Sequence, residues 1–134
     1  YLWRMRIALS CSVLATTMLL SCEGNGLQMA PTVFEESHVE GTVEKAVAEM
    51  MVQGMMCEIG CVSKVRKELL EVPGVASASI EFEKDRAVNV AKVEYDADVV
   101  DARALVAKVT AIGDGMYPVE KVAVTHYGAA KFTP

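Results

Sequence analysis

Basic residues are too few in this sequence to form a surface for nucleic acid. The 134 residues contain 13 Lys and Arg against 18 Asp and Glu, which gives a formal net charge of −5. Contacts to a phosphate backbone need a stripe of basic side chains, and none is present. We therefore expect no nucleic-acid partner.

Cysteines are also few, which limits the metal chemistry. Of the four cysteines, only Cys57 and Cys61 fall in the part of the chain that is predicted to fold. A structural zinc site uses four ligands, so two thiols fit a low-coordinate soft ion such as Cu(I) or Hg(II) better, and Zn(II) would need borrowed ligands. His126 is a distant candidate for such a ligand, although a surface histidine in a C-terminal tail is the more common case.

A long apolar segment is missing as well, because the one apolar run covers only residues 7–20. Fourteen residues are too few to span a bilayer comfortably. Arg4 and Arg6 precede the run and small residues follow it, so residues 1–21 are predicted to be a secretory signal peptide. Leu19-Leu20-Ser21-Cys22 resembles the lipobox of bacterial lipoproteins, which implies lipidation of Cys22 and a bacterial cell envelope location, anchored to a membrane and facing the periplasm or the exterior.

Residues 22–42 have no sustained apolar period. Their composition favours Gly, Glu, Ser, Pro, Asn and Gln, which is typical of a flexible tether between an anchor and a domain. His38 is interpreted as a solvated residue of this tether.

Regular apolar patterns begin near residue 43. Two-residue alternation predicts strands, which are expected at about residues 46–53, 76–82, 87–95 and 117–124. Helical spacing predicts one helix after Cys61, ended by Pro73-Gly74, and a second capped by Asp98 or Asp101 and ended near Gly113.

The resulting order, βαββαβ, predicts an α+β, ferredoxin-like sandwich over residues 43–124, with residues 125–134 as a C-terminal tail. Two helices would cover one face of a four-stranded antiparallel sheet. A domain of this size is not expected to enclose a substrate cavity. The predicted core consists of Val52, Val62, Val65, Leu69, Val75, Ile80, Phe82, Leu105, Val109 and Ile112.

The predicted site is the loop between the first strand and the first helix. Cys57 and Cys61 lie four positions apart, with Gly54 before them and Gly60 between them, so the backbone can direct both sulfurs toward one point. The helix N-terminus and Lys64 are expected to favour the thiolate form of Cys61. Two thiolates would share a soft ion; a disulfide, or two unliganded thiols, are the alternatives.

These residues resemble the heavy-metal-associated domain of copper chaperones, metal-transporting ATPases and periplasmic mercury-binding proteins, whose usual loop is Gly-Met-Thr-Cys-x-x-Cys. Gly54-Met55-Met56-Cys57 matches that opening except at Met56. The resemblance extends through Gly74-Val75 and Tyr95-Asp96, and it implies that Met55 packs in the core and that Tyr117 approaches the metal loop. Met56 is interpreted either as a hydrophobic rim or as a weak accessory ligand.

Two departures from the family pattern stand out. The cysteines are spaced Cys-x-x-x-Cys, and we expect Gly60 to absorb the extra residue through an unusual φ. Residues 74–96 form a longer segment than usual, which predicts a bulge in the third strand or an extended hairpin.

The sequence thus predicts a non-enzymatic envelope protein that binds a soft ion, foremost Cu(I), with Hg(II) and Zn(II) as alternatives, through Cys57 and Cys61. Its role would be to transfer the ion to a metal-transporting ATPase or another metal-accepting protein, or to sequester the ion. Two other function classes stay open, a thiol-redox protein and a metal-free ferredoxin-like interaction module. The redox class is weakened by the absence of a thioredoxin-like Cys-Pro-x-Cys motif.

Overall fold

A computed structural model describes residues 30–129, which form five strands, two α-helices and one π-helical turn. In chain order these elements are β1 (Val33–Glu40), β2 (Lys45–Gln53), the π turn (Glu58–Val62), α1 (Ser63–Leu70), β3 (Val75–Glu81), β4 (Val88–Tyr95), α2 (Ala102–Thr110) and β5 (Val119–Gly128). Among the described residues, no helix is long and apolar enough to cross a membrane.

The strands form one sheet in the order β1-β5-β2-β4-β3. The four strands β5, β2, β4 and β3 pair antiparallel, as the ferredoxin-like pattern predicts. β1 joins them at the edge, parallel to β5. The predicted four-stranded antiparallel sheet is therefore corrected to a five-stranded mixed sheet.

The added strand also corrects the predicted tether, because residues 33–40 lie within it. β1 is held by the ladder to β5, by a hydrogen bond from the Thr32 hydroxyl to the Val119 carbonyl (2.8 Å), and by Phe34, whose ring packs on the core beneath the Arg103 guanidinium at 4.6 Å. Its other side chains are exposed, so no apolar alternation marks it in the sequence. The signal peptide and the lipidation of Cys22 lie outside the described residues.

The predicted C-terminal tail is corrected in the same way, since β5 continues to Gly128. Lys45 pairs with Tyr127 on one side of β5, and Val39 pairs with Tyr127 on the other. Ladder partners on both sides extend the strand past its last fully buried residue, Val124.

The core lies between the sheet and the two helices. Six predicted core residues are buried: Val52, Val65, Leu69, Leu105, Val109 and Ile112. Val62, Val75, Ile80 and Phe82 are only partly buried against that core, three of them on or just after the edge strand β3. β2 and β5 contribute more than predicted, with Met50, Val122 and Val124 fully or almost fully buried.

Local hydrogen bonds account for the start of α2 and for the hairpin between β3 and β4. Asp101 caps α2 by accepting a hydrogen bond from the Arg103 N–H (3.1 Å), as predicted. The predicted bulge does not lie in β4; the register of the β3–β4 pair shifts between Val75 and Ser77, in β3. Asn89 of β4 is fully buried, and its side chain accepts a hydrogen bond from the N–H of Glu83 in the connecting hairpin (2.9 Å).

Candidate metal centre

The cysteine loop begins where β2 ends, at a position that only glycine fits. Gly54 has φ +81°, and a Cβ built there would stand 2.3 Å from the backbone carbonyl oxygen of Met116. A side chain would therefore have to force apart two backbone segments while holding a conformation unfavourable to L residues. This close contact places the loop before Tyr117 directly against the cysteine loop.

The extra residue of the Cys-x-x-x-Cys spacing is accommodated by the π turn. The Val62 N–H donates to the Cys57 carbonyl (3.4 Å), a bond that spans five residues instead of the four of an α-helix. The Cys61 N–H donates to the Cys57 sulfur (3.3 Å), so Cys57 caps the turn with its own side chain. The wider turn thus keeps both cysteines at the start of the helical segment.

Gly60 does not have the unusual φ that was predicted for it, because its φ is not positive. Its role is steric: a Cβ at this position would lie 3.2 Å from the Cys57 sulfur. Glycine leaves space around that sulfur.

The two sulfurs lie 3.2 Å apart as free thiols, with Cys57 exposed and Cys61 partly exposed. A disulfide bond is about 2.05 Å long, so this pair is unbonded. With metal–sulfur bonds of about 2.3 Å, a linear S–metal–S arrangement needs sulfurs about 4.6 Å apart. Because Cys57 is exposed, its side chain is free to rotate outward and open the pair.

Tyr117 has the largest influence on the ionisation of Cys61. Hydrogen bonding from its side chain is the largest cause that lowers the pKa of Cys61 to about 7, followed by the backbone N–H of Met56 and the Cys57 thiol. The same contact raises the pKa of Tyr117 to about 12, so the tyrosine stays a donor at neutral pH. The sequence attributed the lowered pKa of Cys61 to the helix terminus and Lys64, whereas its largest cause is Tyr117. The Tyr117 ring lies against Gly54 at the start of the loop, as the resemblance implied.

Exposed apolar side chains accompany the cysteines in the loop. Met56 is 85 % exposed and Ile59 is 87 % exposed, and Met116 reaches the same end of the molecule from the loop before β5. Met55 is buried in the core as predicted, and Met56 is exposed beside Cys57. The sequence analysis missed Ile59 and Met116; an apolar residue between the two cysteines was the available signal for Ile59.

His126 is not part of this site. It lies on β5 opposite Ala46, near the start of β2, whereas the cysteines follow the end of β2. Within residues 30–129 there is no group of three or more His, Cys, Asp or Glu side chains arranged to hold a metal ion. The site consists of two thiols.

Comparison with known proteins identifies the domain. Residues 49–114, which include both cysteines, match the family model of the heavy-metal-associated domain. Domains of this kind are metal-binding modules and not enzymes. No curated protein matches the chain.

Solved structures that match part of this chain include oxidized MerP from Ralstonia metallidurans CH34, at 25 % identity and a TM-score of 0.48, with 56 % of this chain and 93 % of that chain covered. Another is the N-terminal domain of a potential copper-translocating P-type ATPase from Bacillus subtilis in the Cu(I)-loaded state, at 28 % identity and a TM-score of 0.48, with 57 % and 85 % covered. From the family match, residues 49–114 of this chain form a heavy-metal-associated domain.

Proposed function

We propose that the protein binds one Cu(I) ion through Cys57 and Cys61 and transfers or sequesters it. The observation that carries the proposal is the pair of free sulfurs 3.2 Å apart at an exposed end of the domain. Thiolates are the ligands that soft ions such as Cu(I) prefer, and Hg(II) shares that preference. The low pKa of Cys61 supplies a thiolate near neutral pH.

Exposure of the pair supports transfer by ligand exchange. The thiols of a metal-accepting protein, such as a metal-transporting ATPase, would enter the coordination sphere before Cys57 leaves it. The apolar side chains of Met56 and Ile59 are exposed beside the cysteines in the loop and would contact such a partner. Met56 would act as a rim residue in this contact and not as a third ligand.

The test is competition for Cu(I) between the reduced protein and a chromophoric chelator. The wild-type chain should take one equivalent, and Cys57→Ser or Cys61→Ser should each abolish tight binding. Ser63→Ala, two positions after Cys61, is the matched control and should bind as the wild type does. Unchanged binding in either cysteine variant would rule out the two-thiolate site.

Thiol redox is the second candidate, because sulfurs this close could also close into a disulfide. Reduction of insulin by the protein is the discriminating assay. Fast turnover that depends on both cysteines would favour the redox function, and its absence alongside Cu(I) binding would favour metal binding.

We further propose that the protein is anchored by lipid on Cys22 in a bacterial cell envelope. The support is the position of Cys22, which follows the apolar run of residues 7–20 with only Ser21 between them. Cys22→Ala should leave the protein unprocessed or release it into the soluble envelope fraction. A processed variant that still partitions with membranes would contradict the anchor.

A further inference from the structure

The two histidines of the chain meet at the end of the sheet opposite the cysteines. His38 of β1 and His126 of β5 are direct partners in the parallel ladder, and their rings stack with centroids 4.9 Å apart and planes 20° from parallel. Both lie on the helix-covered face of the sheet, since His126 pairs with the buried Ala46. Neither side chain is fully buried, so both rings are accessible from solvent.

The surroundings of this histidine pair favour a cation. An open groove of about 630 Å³ has the pair in its lining, together with the carboxylates of Glu40, Glu44, Asp96 and Asp98. Lys45 is the one lysine or arginine among the lining residues in the described part of the chain, and its ammonium is paired with Glu94 at 3.0 Å. The groove is therefore electronegative.

The backbone holds the two rings in a geometry suited to a shared ligand. Because the two residues are ladder partners, their side chains leave the sheet side by side on the same face. The terminal χ2 torsion of histidine is soft, so modest rotation of each ring turns one nitrogen of each toward a common point. Imidazole suits Zn²⁺, Cu²⁺ and Ni²⁺, which differ in softness from the Cu(I) proposed for the thiols.

We propose that His38 and His126 form a second metal site that takes a borderline divalent cation through two imidazole ligands. Water completes the coordination, and the groove carboxylates act by charge, because no third side chain is positioned as a ligand among residues 30–129. The site lies outside residues 49–114, so it does not follow from the heavy-metal-associated domain. It also does not depend on the function proposed for the cysteines.

The test uses Cu²⁺ and the full chain with all four cysteines replaced by serine, which removes thiol binding and thiol oxidation. Because the chain contains only two histidines, coupling of the electron spin of one Cu²⁺ to two imidazole nitrogens identifies the pair. His38→Asn or His126→Asn should weaken binding about 100-fold, since the second ligand no longer acts intramolecularly. Ser37→Ala, one position along β1, is the control and should leave binding unchanged.

A second measurement needs no histidine substitution. Addition of Zn²⁺ to the same cysteine-free chain should shift the imidazole proton signals of both histidines together and saturate at one equivalent. A Cu²⁺ spectrum without two imidazole nitrogens, a complex of two chains per ion, or a shift of only one histidine would overturn the proposal.

Discussion

The two ends of the sheet carry different ligand chemistry and are built differently. At the cysteine end, two thiols four positions apart lie on one π turn, and the buried Tyr117 is the largest cause that lowers the pKa of one of them, Cys61. At the histidine end, two imidazoles stack across the pairing of β1 and β5 within an acidic groove. The cysteine end carries exposed apolar side chains, and the groove at the histidine end is lined by carboxylates. The same small core thus supports a soft-ligand surface and a harder, more polar one.

The largest expected effect is a loss of stability that involves both ends, because they share that core. Leu69 is fully buried on α1, and Leu69→Ala should lower the free energy of unfolding by about 2 to 5 kcal/mol through lost burial and the cavity left behind. Leu70→Ala, at a position 44 % exposed, is the matched control and should cost far less. Chemical denaturation of both variants measures the difference; equal costs would show that the two ends do not depend on this core residue.

A smaller loss of stability is expected from a change that distorts the cysteine end alone. Gly54→Ala places a Cβ against the Met116 carbonyl in a backbone conformation that costs about 1 to 3 kcal/mol for a non-glycine residue. The matched control is Gly41→Ala at the histidine end, where the nearest atom is 3.7 Å away and the contact is ordinary. Gly54→Ala should lower both the thermal unfolding temperature and the Cu(I) affinity. Gly41→Ala should change neither. A neutral Gly54→Ala would contradict the close approach of the two loops.

The smallest effect concerns proton equilibrium at one thiol. Tyr117→Phe keeps the ring in the core and removes the hydroxyl donor, so the pKa of Cys61 should rise from about 7 toward the ordinary value for cysteine. Alkylation of Cys61 requires the thiolate, so its rate at pH 7 should fall in the variant and recover as the pH is raised. Mass spectrometry of the modified peptide reports Cys61 separately from the other cysteines. An unchanged pH profile would remove Tyr117 from the electrostatics of the site.

The difference between the two ends also explains which parts of the structure could be predicted from the sequence. Cys57 and Cys61 are neighbours in the chain, and the strand and helix periods around them are local, so the loop, both helices and the four antiparallel strands were predictable. β1 was not, because one partly buried Phe34 makes no alternation and the strand forms only through its ladder to a segment more than 80 residues away. The stacking of His38 on His126 depends on that same distant pairing.

At the cysteine loop, too, residue spacing predicted the position of the two thiols but not the contacts around them. Gly60 was predicted to absorb the extra residue through an unusual φ, but its φ is not positive, and its glycine instead leaves space beside the Cys57 sulfur. The lowered pKa of Cys61 was expected from the helix terminus, whereas its main cause is Tyr117, a residue distant in the chain that the fold brings to the cysteine loop. Such contacts depend on tertiary packing, which residue spacing alone does not specify.

The most direct test of the account is X-ray absorption spectroscopy of the reduced protein carrying one equivalent of Cu(I). Two thiolates from Cys57 and Cys61 predict two sulfur neighbours and no nitrogen neighbour around the copper, with the signal lost in Cys57→Ser. The histidine end should be untouched, so His126→Asn should give the same spectrum as the wild type. A copper ion with nitrogen neighbours, or a two-sulfur signal that survives Cys57→Ser, would contradict the account.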